Sequence, residues 1–269
     1  MKAVPYRSGL SRTCWPSCVA ERERQGKVSR IRQAVIAQVF QYAIQNLLAK
    51  VNPAREVRGA IVIPPAKKRP PLSEKELPAF LVAIDGYPGR PETKIALRLL
   101  ALTFTRKLEL VEAEWSEIDL DAAEWRIPAE RMKAAEQHIV PLAPQAVEAF
   151  KQLRPLSGQS EYVFPNLGDP DRPMSGSTIN AAFDRIGYGE GRFTLHGLRK
   201  TASTILNEQG FRADVIERQL AHTERNKVRA AYNRATRLAE RRKMMQAWAN
   251  YLETLRVGGE VISFAPRPR

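Results

Sequence analysis

Thr194-Leu195-His196-Gly197-Leu198-Arg199-Lys200-Thr201, followed by Leu220-Ala221-His222 and by Ala230-Ala231-Tyr232-Asn233-Arg234, is the part of this 269-residue chain that decides its reading. The pattern predicts helices over Leu195–Gln209, Ala213–Ala221 and Asn226–Arg234, with Gly210 as the C-terminal stop of the first. On such a helix His196 and Arg199, three residues apart, project from one face and can meet a single ligand. Taken singly these residues are commonplace. A lone tyrosine in a basic helix is usually an amphipathic surface residue, and a lone histidine a satisfied polar group at a helix end. Their order, with Arg106 and Lys133 upstream, carries the information.

Working outward, Ser73 and Glu76 form a capping-box pattern, so a helix should start there and run through Phe80, Leu81 and Ile84 to the Gly86-Tyr87-Pro88-Gly89 turn. A second helix, from about Glu92 to Leu102, is apolar enough to be buried on most sides, and Arg106 lies just past its end. Short stretches at Glu117–Leu120, Glu124–Ile127 and His138–Leu142 predict a small antiparallel sheet, with Lys133 at a hairpin tip. Helices follow near Gln145–Leu153, Ser177–Ile186 and Arg237–Arg256, the last with Met244, Met245, Trp248, Tyr251, Leu252 and Leu255 on one side. Towards the N-terminus, the spacing over Ser29–Lys50 predicts an amphipathic helix stopped by Asn52-Pro53. The run Ile63-Pro64-Pro65-Ala66-Lys67-Lys68-Arg69-Pro70-Pro71 reads as a stiff basic linker, because proline denies helix hydrogen bonds and favours extended backbone.

The chain is long enough for one large or two modest domains. It carries 43 Lys and Arg against 29 Asp and Glu, a formal charge of +14 and a pI near 10.1, which favours a polyanionic partner. Nucleic acid leads and an acidic membrane surface trails. The two cysteines, Cys14 and Cys18, form neither a disulfide framework nor a usual zinc spacing. No apolar run reaches the ~18 residues of a membrane span and no signal-peptide core follows the start, so a cytoplasmic protein is expected.

The His196 to Lys200 cluster, with Gln219-Leu220-Ala221-His222 and Tyr232, resembles the catalytic signature of the tyrosine recombinases. The strings Glu114-Trp115-Ser116-Glu117-Ile118-Asp119-Leu120, Arg131-Met132-Lys133 and Tyr162-Val163-Phe164-Pro165 resemble the prophage-integrase branch of that family, and the likeness runs from about Gln38 to Leu255. It implies an α+β fold: a mainly helical catalytic domain with a small three-stranded antiparallel sheet, preceded by a residual helical segment. The implied organisation is residues 1–28 unassigned, 29–60 a remnant of a helical core-binding domain, 61–72 the linker, 73–256 the catalytic domain and 257–269 a tail.

Cleaving a phosphodiester without metal takes a nucleophile, charge stabilisation on the non-bridging oxygens and a proton for the leaving oxygen. The resemblance casts Tyr232 as the nucleophile that forms a 3′-phosphotyrosyl link. Arg106 and Arg199 would grip the phosphate, since guanidinium forks match its geometry and stay charged. By resemblance His222 donates to another phosphate oxygen, His196 assists proton transfer at Tyr232, Lys133 protonates the departing 5′-oxygen and Glu109 buttresses Arg106. His138 is read as structural. No cofactor or metal is implied. The implied partners are double-stranded DNA, three further copies of the chain in a tetramer on paired sites, and accessory DNA-bending proteins, placing the protein in the cytoplasm with the nucleoid. The apolar side of the last helix fits either docking on a neighbouring subunit, as the resemblance implies, or packing within its own.

Two departures from the family pattern bear on activity. Phe104 stands where the family usually has glycine, which puts the seating of Arg106 at issue because a bulky residue does not reach the same backbone angles freely. Complete integrases of this branch also carry an arm-site domain and a full core-binding domain, of which only Ser29–Lys50 is familiar here, so an N-terminally truncated chain is expected. The reading is therefore a site-specific recombinase, with a catalytically impaired DNA-binding remnant as the alternative. A type IB topoisomerase shares the chemistry but not the integrase strings, and a basic packaging protein would need six residues to fall into order by chance.

Overall fold

The computed structural model describes residues 34–56, 71–189, 193–221 and 237–258. The chain divides into two compact units, residues 1–68 and 69–269. In the first, a helix over residues 34–45 (α1) is followed by a short helix, Pro53–Glu56 (α2). The continuous helix expected to Lys50 therefore ends five residues early. Leu47 adopts a left-handed φ of 58°, and the Leu47 and Leu48 amides close back onto the carbonyls of Ile44 and Ala43, the pattern of a Schellman stop. Asn52-Pro53 does not end that helix but opens the next. The Asn52 side chain accepts from the Ala54 amide and donates to the Ala37 carbonyl of α1, while Pro53 occupies the first helical position, where no amide is needed.

The second unit begins with the Ser73–Glu76 box, in which the Glu76 carboxylate accepts from both the amide and the hydroxyl of Ser73. Helix α3 (Leu77–Asp85) follows, then α4 (Pro91–Thr103), whose Ile95, Ala96, Leu97, Leu99, Leu100 and Ala101 are all buried, as its composition predicts. Helix α5 (Lys107–Val111) leads into the sheet β1 (Ile118–Asp119), β2 (Glu124–Ile127) and β3 (His138–Pro141), antiparallel in the order β1-β2-β3. The register pairs Ile118 with Trp125, Trp125 with Val140 and Ile127 with His138. Trp125 is fully buried, its ring against Phe150 and its indole N–H donating to Glu117 at 2.9 Å. This joins the sheet to α6 (Pro144–Ser157), which lies on α4.

Helices α7 (Gly176–Arg185), α8 (Leu195–Glu208), α9 (Ala213–Gln219) and α10 (Leu238–Val257) complete the described part. Gly210 takes a left-handed φ of 82° just past α8, as its position predicts. Of the two settings open to the last helix, the structure has the one within its own chain. Met244, Met245, Trp248, Tyr251 and Leu252 of α10 are buried against α3, α4 and α8. The physical reason is the match with α4: Trp248 donates to the Ala101 carbonyl at 2.9 Å and meets the Phe104 ring edge-on. The predicted helix over Asn226–Arg234, and the segment 1–28, lie outside the described residues.

Candidate active site

Three chain segments converge at one end of α4, α8 and α9. Helix α4 ends in a strained turn: Phe104 is left-handed (φ 39°, ψ 35°), its amide donating to the Leu100 carbonyl and its ring fully buried. A left-handed position is where glycine is favoured, and here it is held by a bulky phenylalanine. The chain adopts the angle regardless, because the ring fills the space beside Trp248.

Arg106, two residues on, returns to extended backbone (φ −73°, ψ 146°) and serves as the N-cap of α5. Glu109 holds it twice, accepting from the Arg106 amide at 2.8 Å and from its guanidinium at 2.5 Å. The other end of the guanidinium donates to the Ala221 carbonyl at 3.3 Å.

Arg199 arrives from α8. Thr194 caps that helix, its hydroxyl accepting from the Gly197 amide at 3.1 Å. Gly197 is required by close approach, since a Cβ there would stand 2.7 Å from the Phe193 ring. Both His196 and Arg199 lie on α8, but their environments differ: His196 is exposed, whereas Arg199 is only 5% exposed. Arg199 donates to the Phe104 carbonyl at 2.7 Å and to the Leu220 carbonyl at 2.5 Å. Among the described residues these two carbonyls take two of its five N–H donors. Burial, and then the neighbouring Arg106 charge, lower its pKa to about 10. It remains a cation at neutral pH. Arg106 and Arg199 thus grip adjacent carbonyls of Leu220 and Ala221, the residues directly before His222.

Lys133 is exposed, at the turn between β2 and β3, where the Ala135 amide closes onto the Met132 carbonyl. Met132 beneath it is buried, and Glu136 reaches Arg218 of α9 at 3.6 Å. The structure therefore brings Arg106, Glu109 and Arg199 together and sets Lys133 on a neighbouring loop. His222 and Tyr232 lie outside the described residues.

Beneath the arginines is a buried polar layer that sequence reasoning missed. Arg241 of α10, 1% exposed, donates to the Gln219 side chain at 2.6 and 3.0 Å and to the Ile139 carbonyl at 2.5 Å. Gln219 in turn donates to the Thr103 carbonyl at 3.4 Å. Burial lowers the Arg241 pKa to about 9, with the Arg218 charge adding to it. His138, read as structural, is buried in the same layer. Its pKa falls to about 3 through burial and then the charges of Arg241 and Arg218, against a backbone hydrogen bond to Gln219 that pulls the other way. The only sequence signal for Arg241 is an arginine at an otherwise apolar helix position, which shows once the face of α10 is known.

The sequence model of the phage integrase family matches residues 70–238, well over half of the chain. The chain belongs to the phage integrase family. This integrase-family chain is 38% identical over 249 residues to prophage integrase IntA of Escherichia coli K12, covering 92% of itself and 60% of that protein. It is 42% identical over 239 residues to the integrase of Enterobacteria phage P4, covering 83% of itself and 54% of that protein. It thus spans little more than half the length of these relatives. In fold it is similar to a lambda integrase (75–356) dimer bound to a COC′ core site, with a TM-score of 0.56 at 20% identity over 75% of this chain and 74% of that one. The lambda integrase tetramer bound to a Holliday junction gives 0.53 at 21% identity, over 76% of this chain and 58% of that one. The α+β architecture, mainly helical with a three-stranded antiparallel sheet, is that of these neighbours. Among the described residues no helix is long and apolar enough to cross a membrane.

Proposed function

We propose that this chain is a site-specific DNA strand transferase of the integrase type, with residues 73–256 as its catalytic domain, 29–60 as a remnant of a core-binding domain and 61–72 as the linker. The observation that carries the reading is the convergence of Arg106 and Arg199 on the two carbonyls directly before His222. Two guanidinium groups held side by side suit the non-bridging oxygens of one phosphodiester, a tetrahedral monoanion that gains further negative charge in its five-coordinate transition state. In the proposed step the Tyr232 hydroxyl oxygen attacks the scissile phosphorus. A phosphorus–tyrosine bond forms, the bond to the 5′-oxygen breaks, and Lys133 supplies the proton that oxygen takes. Arg106, Arg199 and His222 hold the non-bridging oxygens, His196 assists removal of the tyrosine proton, and Glu109 keeps Arg106 in place. The phosphodiester energy is retained in the 3′-phosphotyrosyl bond, so a second 5′-hydroxyl reverses the step without ATP or metal. The partners of the proposed reaction are double-stranded DNA, a tetramer of this chain on paired sites and DNA-bending accessory proteins, and its setting is the nucleoid.

A second reading, DNA binding without cleavage, is favoured by the strained backbone at Phe104 beside the phosphate-facing arginines. Covalent trapping separates the two. The chain and its Tyr232→Phe variant are offered a supercoiled plasmid carrying the DNA that flanks the gene, and protein-linked DNA surviving denaturant is measured. An adduct from the unaltered chain alone, with DNA affinity nearly equal in both because one hydroxyl contributes little to a charge-driven interface, is the expected result. Salt-sensitive binding with no adduct from either protein supports the second reading. Arg199→Ala should lower the rate by about 10² to 10³, as loss of one well-placed donor does.

A further inference from the structure

Arg131 lies two residues before Lys133 and is largely enclosed where a surface loop would not need a charge. Its side chain is 15% exposed and its partner Glu117 5% exposed. Nη1 is paired with Glu117, and Nη2 donates to the Glu109 carbonyl at 2.7 Å. Glu117 is itself fixed, because its second oxygen accepts from the Trp125 indole at 2.9 Å. The guanidinium therefore joins three elements: the 3₁₀ turn Ala129–Arg131 that leads into the Lys133 loop, the 3₁₀ turn Trp115–Glu117 ahead of β1, and α5, whose N-cap is Arg106. The backbone on the Lys133 side is stiff. Successive amides of Arg131, Met132 and Ala135 close onto Pro128, Ala129 and Met132, and the Met132 side chain is buried. A shift of Arg131 is passed to Lys133 through one intervening residue, the buried Met132, with little slack.

We propose that Arg131 is a positioning residue for Lys133: it sets the reach of the Lys133 ammonium relative to the phosphate site built on Arg106, through its fork to Glu117 and the Glu109 carbonyl. The inference rests on the strand-transfer reading above. The planar fork matters, because a buried lysine offers one point contact where arginine makes two in fixed directions. A misplacement of about 1 Å of a proton donor can cost on the order of 10²-fold in rate.

The test uses the leaving group. A 5′-oxygen departs as an alkoxide unless protonated, whereas a 5′-sulfur departs as a thiolate, whose conjugate acid has a pKa near 8.5 against about 15.7 for water-like hydroxyls. Cleavage of a 5′-bridging phosphorothiolate at the position mapped by covalent trapping therefore needs no proton from Lys133. Single-turnover adduct formation is measured for the full chain and for Arg131→Ala, Arg131→Lys, Lys133→Ala and Arg199→Ala on oxygen and sulfur substrates, with DNA affinity and circular dichroism alongside. The expected result is that Arg131→Ala slows the oxygen substrate ten- to a hundredfold, and Arg131→Lys by less. On the sulfur substrate both return to within about threefold of the unaltered chain, as Lys133→Ala does, while Arg199→Ala stays slow on both. Equal slowing of Arg131→Ala on both substrates, or none on oxygen, overturns the proposal. If Arg131→Ala does not fold, Arg131→Lys decides by the same ratio of sulfur to oxygen rates. An adduct from the unaltered chain with no sulfur rescue of either Arg131 variant refutes this role alone. No adduct from the unaltered chain on either substrate overturns the strand-transfer reading and this role with it.

Discussion

Replacing Phe104 separates two opposing contributions at the centre of the site. The residue is left-handed (φ 39°, ψ 35°) and completely buried, with its ring 6.1 Å from that of Trp248 and perpendicular to it. A left-handed conformation costs an L-residue about 1–2 kcal/mol, and truncating a buried phenylalanine costs about 3–5 kcal/mol. Phe104→Ala keeps the strain and loses the ring, so it should destabilise by about 3–5 kcal/mol. Phe104→Gly loses the ring and the strain together, and gives back only part of the gain through the greater freedom of glycine in the unfolded chain, about 0.5–1 kcal/mol. The glycine variant should therefore be the more stable of the two by roughly 1 kcal/mol, the reverse of their order at an ordinary helical position. Urea unfolding followed by tryptophan fluorescence is a suitable assay, because Trp115, Trp125 and Trp248 are three of the four tryptophans and all lie in the unit spanning residues 69–269. Equal dependence on urea in the three proteins is needed for the comparison. An alanine variant as stable as the glycine variant would refute the strain argument. A glycine variant more stable than the unaltered chain would refute the claim that the ring outweighs the strain.

Other expectations follow from the same geometry. His138 stays neutral in the folded chain down to about pH 3, whereas the unfolded chain takes up this proton near 6.5. Below pH 6.5 the unfolded state binds the extra proton, so stability should fall with falling pH by about 1.4 kcal/mol per unit from this group alone. His138→Leu should flatten the profile between about pH 6 and 4 by that slope, and urea titrations that give parallel profiles would reject the assignment. Arg241→Ala strands the Gln219 side chain and the Ile139 carbonyl, offset in part by relief of a buried cation, and should cost about 2–4 kcal/mol; a thermal melt within a degree of the unaltered chain would contradict it. Glu109→Gln keeps an acceptor for the Arg106 amide but loses the ion pair. Because the Arg106 side chain is 35% exposed, stability should move by less than about 1 kcal/mol while adduct formation slows about tenfold, and an unchanged rate would remove Glu109 from the site.

Much of the fold was legible because it is local. The periodicity of α4, the Ser73–Glu76 box, the position of Gly210 and the three β segments each depend on neighbours within a few residues. The N-terminal helix ends before Lys50 for a reason equally local in scale but invisible in pattern. Leu47, not a glycine, takes the left-handed stop, and Asn52-Pro53 is as good an opening for a helix as an end for one. Order along the chain, through its resemblance to the tyrosine recombinases, is also what nominates Arg106, Lys133, His196, Arg199, His222 and Tyr232 as the proposed site residues.

What the sequence by itself determined is therefore the alternation of apolar and polar positions and the caps and turns, and it nominates the residues proposed to handle a phosphate. Tertiary structure alone decided that the apolar side of α10 packs within its own chain, that Arg199 and Arg106 meet at Leu220 and Ala221, and that Arg241, Gln219 and His138 form a buried layer beneath them. It also decided that Arg131, an ordinary charge in a turn when read along the chain, becomes a link between the Lys133 loop and α5. The physical reason is that a hydrogen bond between residues distant in sequence leaves no periodic trace. Its donor and acceptor types are common everywhere, and only the fold removes the water that would otherwise satisfy them.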